Sequence, residues 1–240
     1  MTENFREKVL KGSDCFGIEL TQLQTEQLYE YYRMLVEKNK VMNLTAITEE
    51  DDVITKHIID SLSLASCIRI TSQKMIDVGT GAGLPGMILK IAFPQTEMTL
   101  FDSLKKRLVF LDEVSERLGL EKTATLHGRA EDLGRNEKYR ESFDIVVSRA
   151  VANMNSLSEY CLPFVKKNGI FAAYKSAESH EEIKNALGAV KKLGGSLTEE
   201  NVFILPGTEI ERRIAIITKV KSTPAAYPRK AGTPSKDPLK

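Results

Sequence analysis

Asp77-Val78-Gly79-Thr80-Gly81-Ala82-Gly83-Leu84-Pro85-Gly86 lies between two apolar runs. Met75-Ile76-Asp77-Val78 before it predicts a strand, and an apolar helix is predicted after it, to about Phe93. Glycines in such a turn permit positive φ and let the backbone approach a ligand, although any tight β–α turn also uses them. The spacing here is G-x-G-x-G. A dinucleotide fingerprint would put its third small residue at position 84, where this chain has Leu84. A dinucleotide loop aims amides at a pyrophosphate, which the carboxylate of Asp77 would oppose. That carboxylate suits a ligand with a cationic amino group, such as the methionine part of S-adenosylmethionine. Asp102, 25 residues further on, ends the next predicted strand, Met98-Thr99-Leu100-Phe101. A carboxylate there accepts from both ribose hydroxyls of an adenosine. The pair favours a methyltransferase over a dehydrogenase.

The surrounding periodicity agrees with an α/β fold. A helix with Leu104, Leu108, Leu111, Val114 and Leu118 on one face follows the second strand. Ala124-Thr125-Leu126, Asp144-Ile145-Val146-Val147 and Ile170-Phe171-Ala172-Ala173-Tyr174 read as further strands, with a helix from about Glu181 to Leu193. Val202-Phe203-Ile204-Leu205 and Ile214-Ala215-Ile216-Ile217 close the series as a hairpin pair. The pattern predicts a Rossmann-like, mostly parallel seven-stranded sheet with one antiparallel strand at or near an edge. Ligands of such sheets bind at the carboxyl ends of the strands. Residues 1–70 read instead as a helical extension packed on the 71–220 core, with Thr25 as a helix N-cap and a second helix within 50–68. Asn43-Leu44-Thr45 reads as the loop between them.

Length and composition fit this reading. The chain has 240 residues, 42% hydrophobic and 28% charged, enough for a substantial core. No run approaches the roughly 18 apolar residues of a membrane span, and Met1 to Asp14 lacks a signal-peptide apolar region. Cys15, Cys67 and Cys161 are scattered and form no CxxC pair. They exclude a disulfide scaffold, argue against a metal site and fit a reducing cytoplasm. The formal charge of +1 divides unevenly, with +4 on residues 221–240 and −3 on the rest. A basic, Pro-rich tail is either a solvated end or an arm for nucleic acid.

The chain closely resembles the ribosomal RNA small-subunit methyltransferase G family, also called glucose-inhibited division protein B. The resemblance rests on Asn43-Leu44-Thr45-Ala46-Ile47, His57-Ile58-Ile59-Asp60-Ser61-Leu62 and Asp77 to Gly86. It continues through Asp102-Ser103-Leu104-Lys105-Lys106-Arg107, Gly128-Arg129-Ala130-Glu131 and Ser148-Arg149-Ala150. A tail ending Tyr227-Pro228-Arg229-Lys230-Ala231-Gly232-Thr233-Pro234 is typical of its Gram-positive-type members. The resemblance implies a class I fold that moves the methyl of S-adenosylmethionine to N7 of one guanine in 16S ribosomal RNA. It further implies that Gly79 and Leu84 contact the cofactor from the loop, with Gly81 between them. Ala130 and Glu131 would contact the adenine region, and Arg149 would lie at the cofactor–substrate junction. The partner would be 16S RNA in the mature or nearly mature small subunit, met by a cytoplasmic monomer.

Guanine N7 has a lone pair and no proton, so the task is positioning rather than base catalysis. Ser148-Arg149-Ala150-Val151 lacks the Asp/Asn-Pro-Pro-aromatic motif of amino-group methyltransferases. Cys161 reads as core rather than as the nucleophile of a cytosine-C5 enzyme. No residue is assigned as a certain catalytic group; Arg149 and Lys175, at predicted strand ends, are positioning candidates. Lys105, Arg129, Arg212, Arg229 and Lys230 are the candidate RNA contacts. His57, Asp60 and Ser61 share a helix edge and read as a packing or capping cluster. A nicotinamide oxidoreductase, a small-molecule methyltransferase and a cofactor-sensing RNA-binding module remain rival readings of the residues alone.

Overall fold

A computed structural model describes all 240 residues. Seven strands form one sheet in the order β3-β2-β1-β4-β5-β7-β6. They are β1 (Lys74–Val78), β2 (Glu97–Asp102), β3 (Thr123–His127), β4 (Phe143–Arg149), β5 (Val165–Ser176), β6 (Gly195–Ile204) and β7 (Glu211–Lys219). β1 to β5 are parallel, while β7 runs antiparallel to both β5 and β6. The antiparallel strand therefore lies one place in from the edge, as the hairpin ending predicts.

Both faces are covered, which is why β1 and β4 read as unbroken apolar runs. On one face, Phe5, Val9, Leu28 and Tyr31 from the N-terminal helices pack with Met75, Leu100 and Leu111. On the other, Phe143, Leu157, Cys161 and Phe164 pack with Ile217 and Leu239. Burial pushes the Cys161 thiol well up from its ordinary value, which disfavours the thiolate a nucleophile needs. No helix is long and apolar enough to cross a membrane.

The N-terminal helices are Glu3–Asp14 and Gln22–Met42. The second is capped by Thr21 and not by Thr25. Gln24 and Thr21 form a reciprocal capping box, and the Thr25 hydroxyl is buried against the Thr21 carbonyl. Gln24 Nε2 also donates to the carbonyls of Ile91 and Ala92, satisfying the end of the Gly86–Ala92 helix. The 50–66 segment is one irregular rod. It is α-helical over Glu50–Val53, π-helical over Ile54–Ile59, α-helical over Asp60–Leu62 and 3-10 over Ser63–Ser66.

Sheet register brings the polar strand ends to one rim. Asp102 pairs with His127, Arg149 with Tyr174, Lys175 with Arg213 and Ser176 with Arg212. The carboxyl ends of β1, β2, β4 and β5 thus meet the start of β7.

Candidate active site

The glycine loop is folded by the carboxylate beneath it. Asp77 is fully buried, and its Oδ2 accepts from the Thr80 hydroxyl at 2.7 Å and from the Gly86 amide at 2.8 Å. A Cβ on Gly86 would lie 2.8 Å from that same oxygen, so glycine is required there. Gly79 has φ +75°, and its amide and that of Thr80 both donate to the Phe101 carbonyl. Helix Gln22–Met42 supports the loop from outside: the buried Tyr31 hydroxyl donates to the Ala82 carbonyl at 2.9 Å.

Asp77 consequently sits under the loop and lines neither of the two cavities beside it. One of its oxygens thus holds the loop in shape. Its Oδ1 accepts from no protein donor. Burial raises the acid to about 6. The loop therefore rests on a carboxylate that nearby positive charge would keep ionised.

One cavity, of about 780 Å³, opens over the ends of β2 and β3 and is lined by Asp102, Ser103, Leu104, Ala130, Glu131 and Tyr160, among others. Asp102 is nearly buried. Its Oδ1 accepts from the Leu104 amide, and its Oδ2 from the Gly81 amide at 3.0 Å and Arg107 at 3.2 Å. A second cavity, of about 680 Å³, lies over β4, β5 and β7 and holds Leu84, Arg149, Lys175, Arg212 and Arg213. The two share Gly79, Arg107 and Ala150 as a common wall. A cleft with an acidic half and a cationic half therefore bends around the glycine loop.

The N-terminal extension builds part of the cationic half, a contribution the sequence reading did not assign. Thr45, Lys56, His57 and Asp60 line it. Asp60 Oδ2 accepts from Arg149 at 2.6 Å and its Oδ1 from Arg212 at 3.2 Å. His57 Nε2 lies 2.9 Å from the Thr45 hydroxyl, and burial, with Arg149 nearby, lowers its pKa to about 4. The signal in the sequence is an acid set among Ile58, Ile59 and Leu62, where a buried carboxylate requires a partner.

Lys175 donates to the Ala152 carbonyl and to Glu182 at 2.7 Å. Lys105, Arg129 and Lys230 are exposed. Arg229 is committed elsewhere: it binds Glu159, which is fully buried, at 2.8 Å and Asp237 at 3.2 Å. It is a tail anchor, so its positive charge is already answered within the protein. No group of three or more His, Cys, Asp or Glu is arranged to hold a metal ion.

A parallel sheet with a reversed penultimate strand, a glycine loop after β1 and an acid at the end of β2 define a class I S-adenosylmethionine-dependent methyltransferase. The same architecture appears in solved structures at low sequence identity. A SAM-dependent O-methyltransferase from Thermotoga maritima matches with a TM-score of 0.50, 16% identity and coverage of 79% of this chain and 72% of that one. M. jannaschii TYW2, solved with AdoMet, matches with a TM-score of 0.51 and 13% identity over 64% of this chain and 72% of that one. These likenesses concern the fold. The family model for rRNA small subunit methyltransferase G matches residues 24–205. The Ribosomal RNA small subunit methyltransferase G of Lachnoclostridium phytofermentans is 51% identical over 96% of both chains. The chain belongs to the rRNA small subunit methyltransferase G family.

Proposed function

We propose that this chain transfers the methyl group of S-adenosylmethionine to N7 of a guanine in 16S ribosomal RNA, within the small subunit or a late assembly particle. The observation that carries the reading is the division of the cleft. The cavity over β4, β5 and β7 carries Lys56, Arg149, Lys175, Arg212 and Arg213 against the carboxylates of Asp60 and Glu182, while the cavity over β2 and β3 carries Asp102, Glu131 and Asp132 against Arg129, with Arg107 in the wall between them. The acidic half suits a cationic nucleoside, and the cationic half suits a polyanion.

S-adenosylmethionine, when bound, supplies an electrophilic methyl on a sulfonium. The residues fit it. Asp102 would accept from the ribose hydroxyls, Ala130 and Glu131 would contact the adenine, and Gly79, Gly81 and Leu84 would line the path between the halves. Arg149 and Lys175 orient the nucleotide. The acceptor nitrogen carries no proton, so the protein holds it in line and excludes water without a general base. The only imidazole in the cationic cavity, His57, is held neutral by burial.

Lys105 extends the cationic surface past the cleft, with Arg129 in the wall of the 780 Å³ cavity and Arg212 inside the other cavity. Lys230, exposed on the tail, adds to it. The enzyme works as a cytoplasmic monomer, in which residues 1–70 brace a methyltransferase core over 71–220 and 221–240 form an appended tail.

The test is mass mapping of 7-methylguanine in 16S RNA from cells with and without the protein. One modified guanine is expected to disappear on deletion, to return with the wild-type chain and to stay absent with Asp102→Ala. An unchanged 7-methylguanine map overturns the reading.

A further inference from the structure

Residues 221–240 do not leave the body of the protein. Thr223, Pro228, Pro234 and Leu239 are buried. Arg140 donates to the carbonyls of Tyr227 and Thr223, and the Ser156 hydroxyl donates to that of Pro234 at 2.7 Å. Arg229 locks the middle of the segment to Glu159 through its backbone amide and its guanidinium. These anchors all lie on the face of the sheet that carries helix Met154–Cys161.

Their effect is to carry residues 232–235 to the acidic cavity. The Gly232 amide donates to Glu131 Oε1 at 2.8 Å, and Gly232 and Ser235 line the cavity together with Tyr160 and Asp102. Glu131 is nearly buried, and its Oε1 has no other donor. Its Oε2 receives none from the protein, so that oxygen remains available to an amino donor such as the exocyclic group of adenine. Of the tail's basic side chains, Arg229 is answered locally by Glu159 and Asp237, whereas Lys221, Lys230, Lys236 and Lys240 are exposed.

We propose that the 232–235 segment is a wall of the adenosine half-site, so that this part of the tail serves cofactor binding. This rests on reading the 780 Å³ cavity as that half-site. The segment fixes the Glu131 carboxylate through Gly232 and shields the nucleoside from water. It touches nothing on the methionine side of Gly79. Its contribution is therefore the same for S-adenosylhomocysteine and for 5′-methylthioadenosine, which has the nucleoside but no amino-acid part.

Two measurements on the full chain test this. Hydrogen exchange of amides 231–236 is expected to slow when S-adenosylhomocysteine binds and to be unaffected by RNA alone. Calorimetric titration of Arg229→Ala is expected to show about tenfold weaker binding of both nucleosides, the loss of one charge-assisted hydrogen bond, with RNA affinity unchanged. Unaltered exchange on S-adenosylhomocysteine binding overturns the proposal even if Arg229→Ala does not fold. So does a variant that binds nucleoside normally and RNA poorly. Asp102→Ala separates the two levels. If it binds S-adenosylhomocysteine like wild type, the cavity reading itself is wrong. If it does not bind while the tail stays indifferent, only the tail proposal fails.

Discussion

Arg149 Nη1 and Asp60 Oδ2 meet at 2.6 Å although 89 positions separate them in the chain. Arg149 ends β4, in the centre of the sheet, and Asp60 comes from the N-terminal helical rod. The other oxygen of the same carboxylate holds Arg212, at the start of β7. One buried acid thus sets the separation of two guanidinium groups that face the cationic cavity.

Asp60→Ala leaves both cations without their counter-charge. Breaking such a partly buried network is expected to cost about 2–3 kcal/mol of stability, less than for a fully buried pair because Arg212 is partly exposed. Methyl transfer to RNA is expected to fall at least tenfold while S-adenosylhomocysteine affinity stays near wild type. Urea unfolding and single-turnover kinetics with calorimetry measure the two effects. A parallel loss of cofactor binding would place Asp60 in a different role.

His57 gives a pH signature. Its folded-state pKa is lowered to about 4 from 6.5, so the folded protein binds fewer protons than the unfolded chain between those values. Its stabilising contribution is full above pH 6.5 and is lost as the pH falls towards 4. Relative to His57→Gln, the wild-type chain should lose about 2 kcal/mol between pH 7 and pH 5. Parallel urea titrations of both proteins at the two pH values check this, and equal pH dependence would contradict it.

Tyr31→Phe removes one oxygen and leaves the Ala82 carbonyl without its donor. The expected cost is about 1–2 kcal/mol in unfolding free energy. Because Ala82 belongs to the glycine loop, S-adenosylhomocysteine binding should weaken as well, by about threefold to tenfold. A variant that is less stable but binds normally would show that the loop holds its shape without the helix.

Lys105→Ala and Arg129→Ala test the cationic rim. Each should lower RNA affinity; Lys105→Ala should leave cofactor affinity unaltered, whereas Arg129 also lines the nucleoside cavity and its loss should weaken cofactor binding as well. Each should also reduce the slope of log affinity against log salt by about 0.7–0.9, as expected for one lost phosphate contact. Titrations at several salt concentrations check this. An unchanged slope for both variants would exclude them from the RNA interface.

The sheet and its loop were readable because their signals are local. The change from helical period to short apolar runs at residue 74 marks β1, and the spacing of Asp77 and Asp102 fixes two successive strand ends. The final antiparallel strand was legible as a hairpin for the same reason. What the residues hid were relationships made by packing. His57 and Asp60 read as a helix-edge cluster because nothing nearby in sequence shows that Arg149 and Arg212 complete them. Asp77 reads from its position as a ligand contact, and its hold on the loop through Thr80 and Gly86 is a further relationship that only packing shows. The tail read as a solvated end or an RNA arm because its anchors, Glu131, Arg140 and Glu159, lie 70 to 101 positions upstream of their partners. The N-cap at Thr21 was missed because Thr25 carries the same residue type one turn later.

The π-helical turn over Ile54–Ile59 has a bearing on how this enzyme tolerates change. A π turn accommodates one residue more than an α turn, so removing a single residue there would restore an ordinary helix without breaking it. The turn absorbs that residue locally, so the α-helical turns on either side would keep their directions and Asp60 would still reach Arg149. A one-residue deletion in the regular turn Glu50–Val53 has no such slack and would rotate the preceding residues against Asp60 by about 100° about the helix axis. The rod therefore tolerates a change of length at positions 54–59 that it would not tolerate beside them.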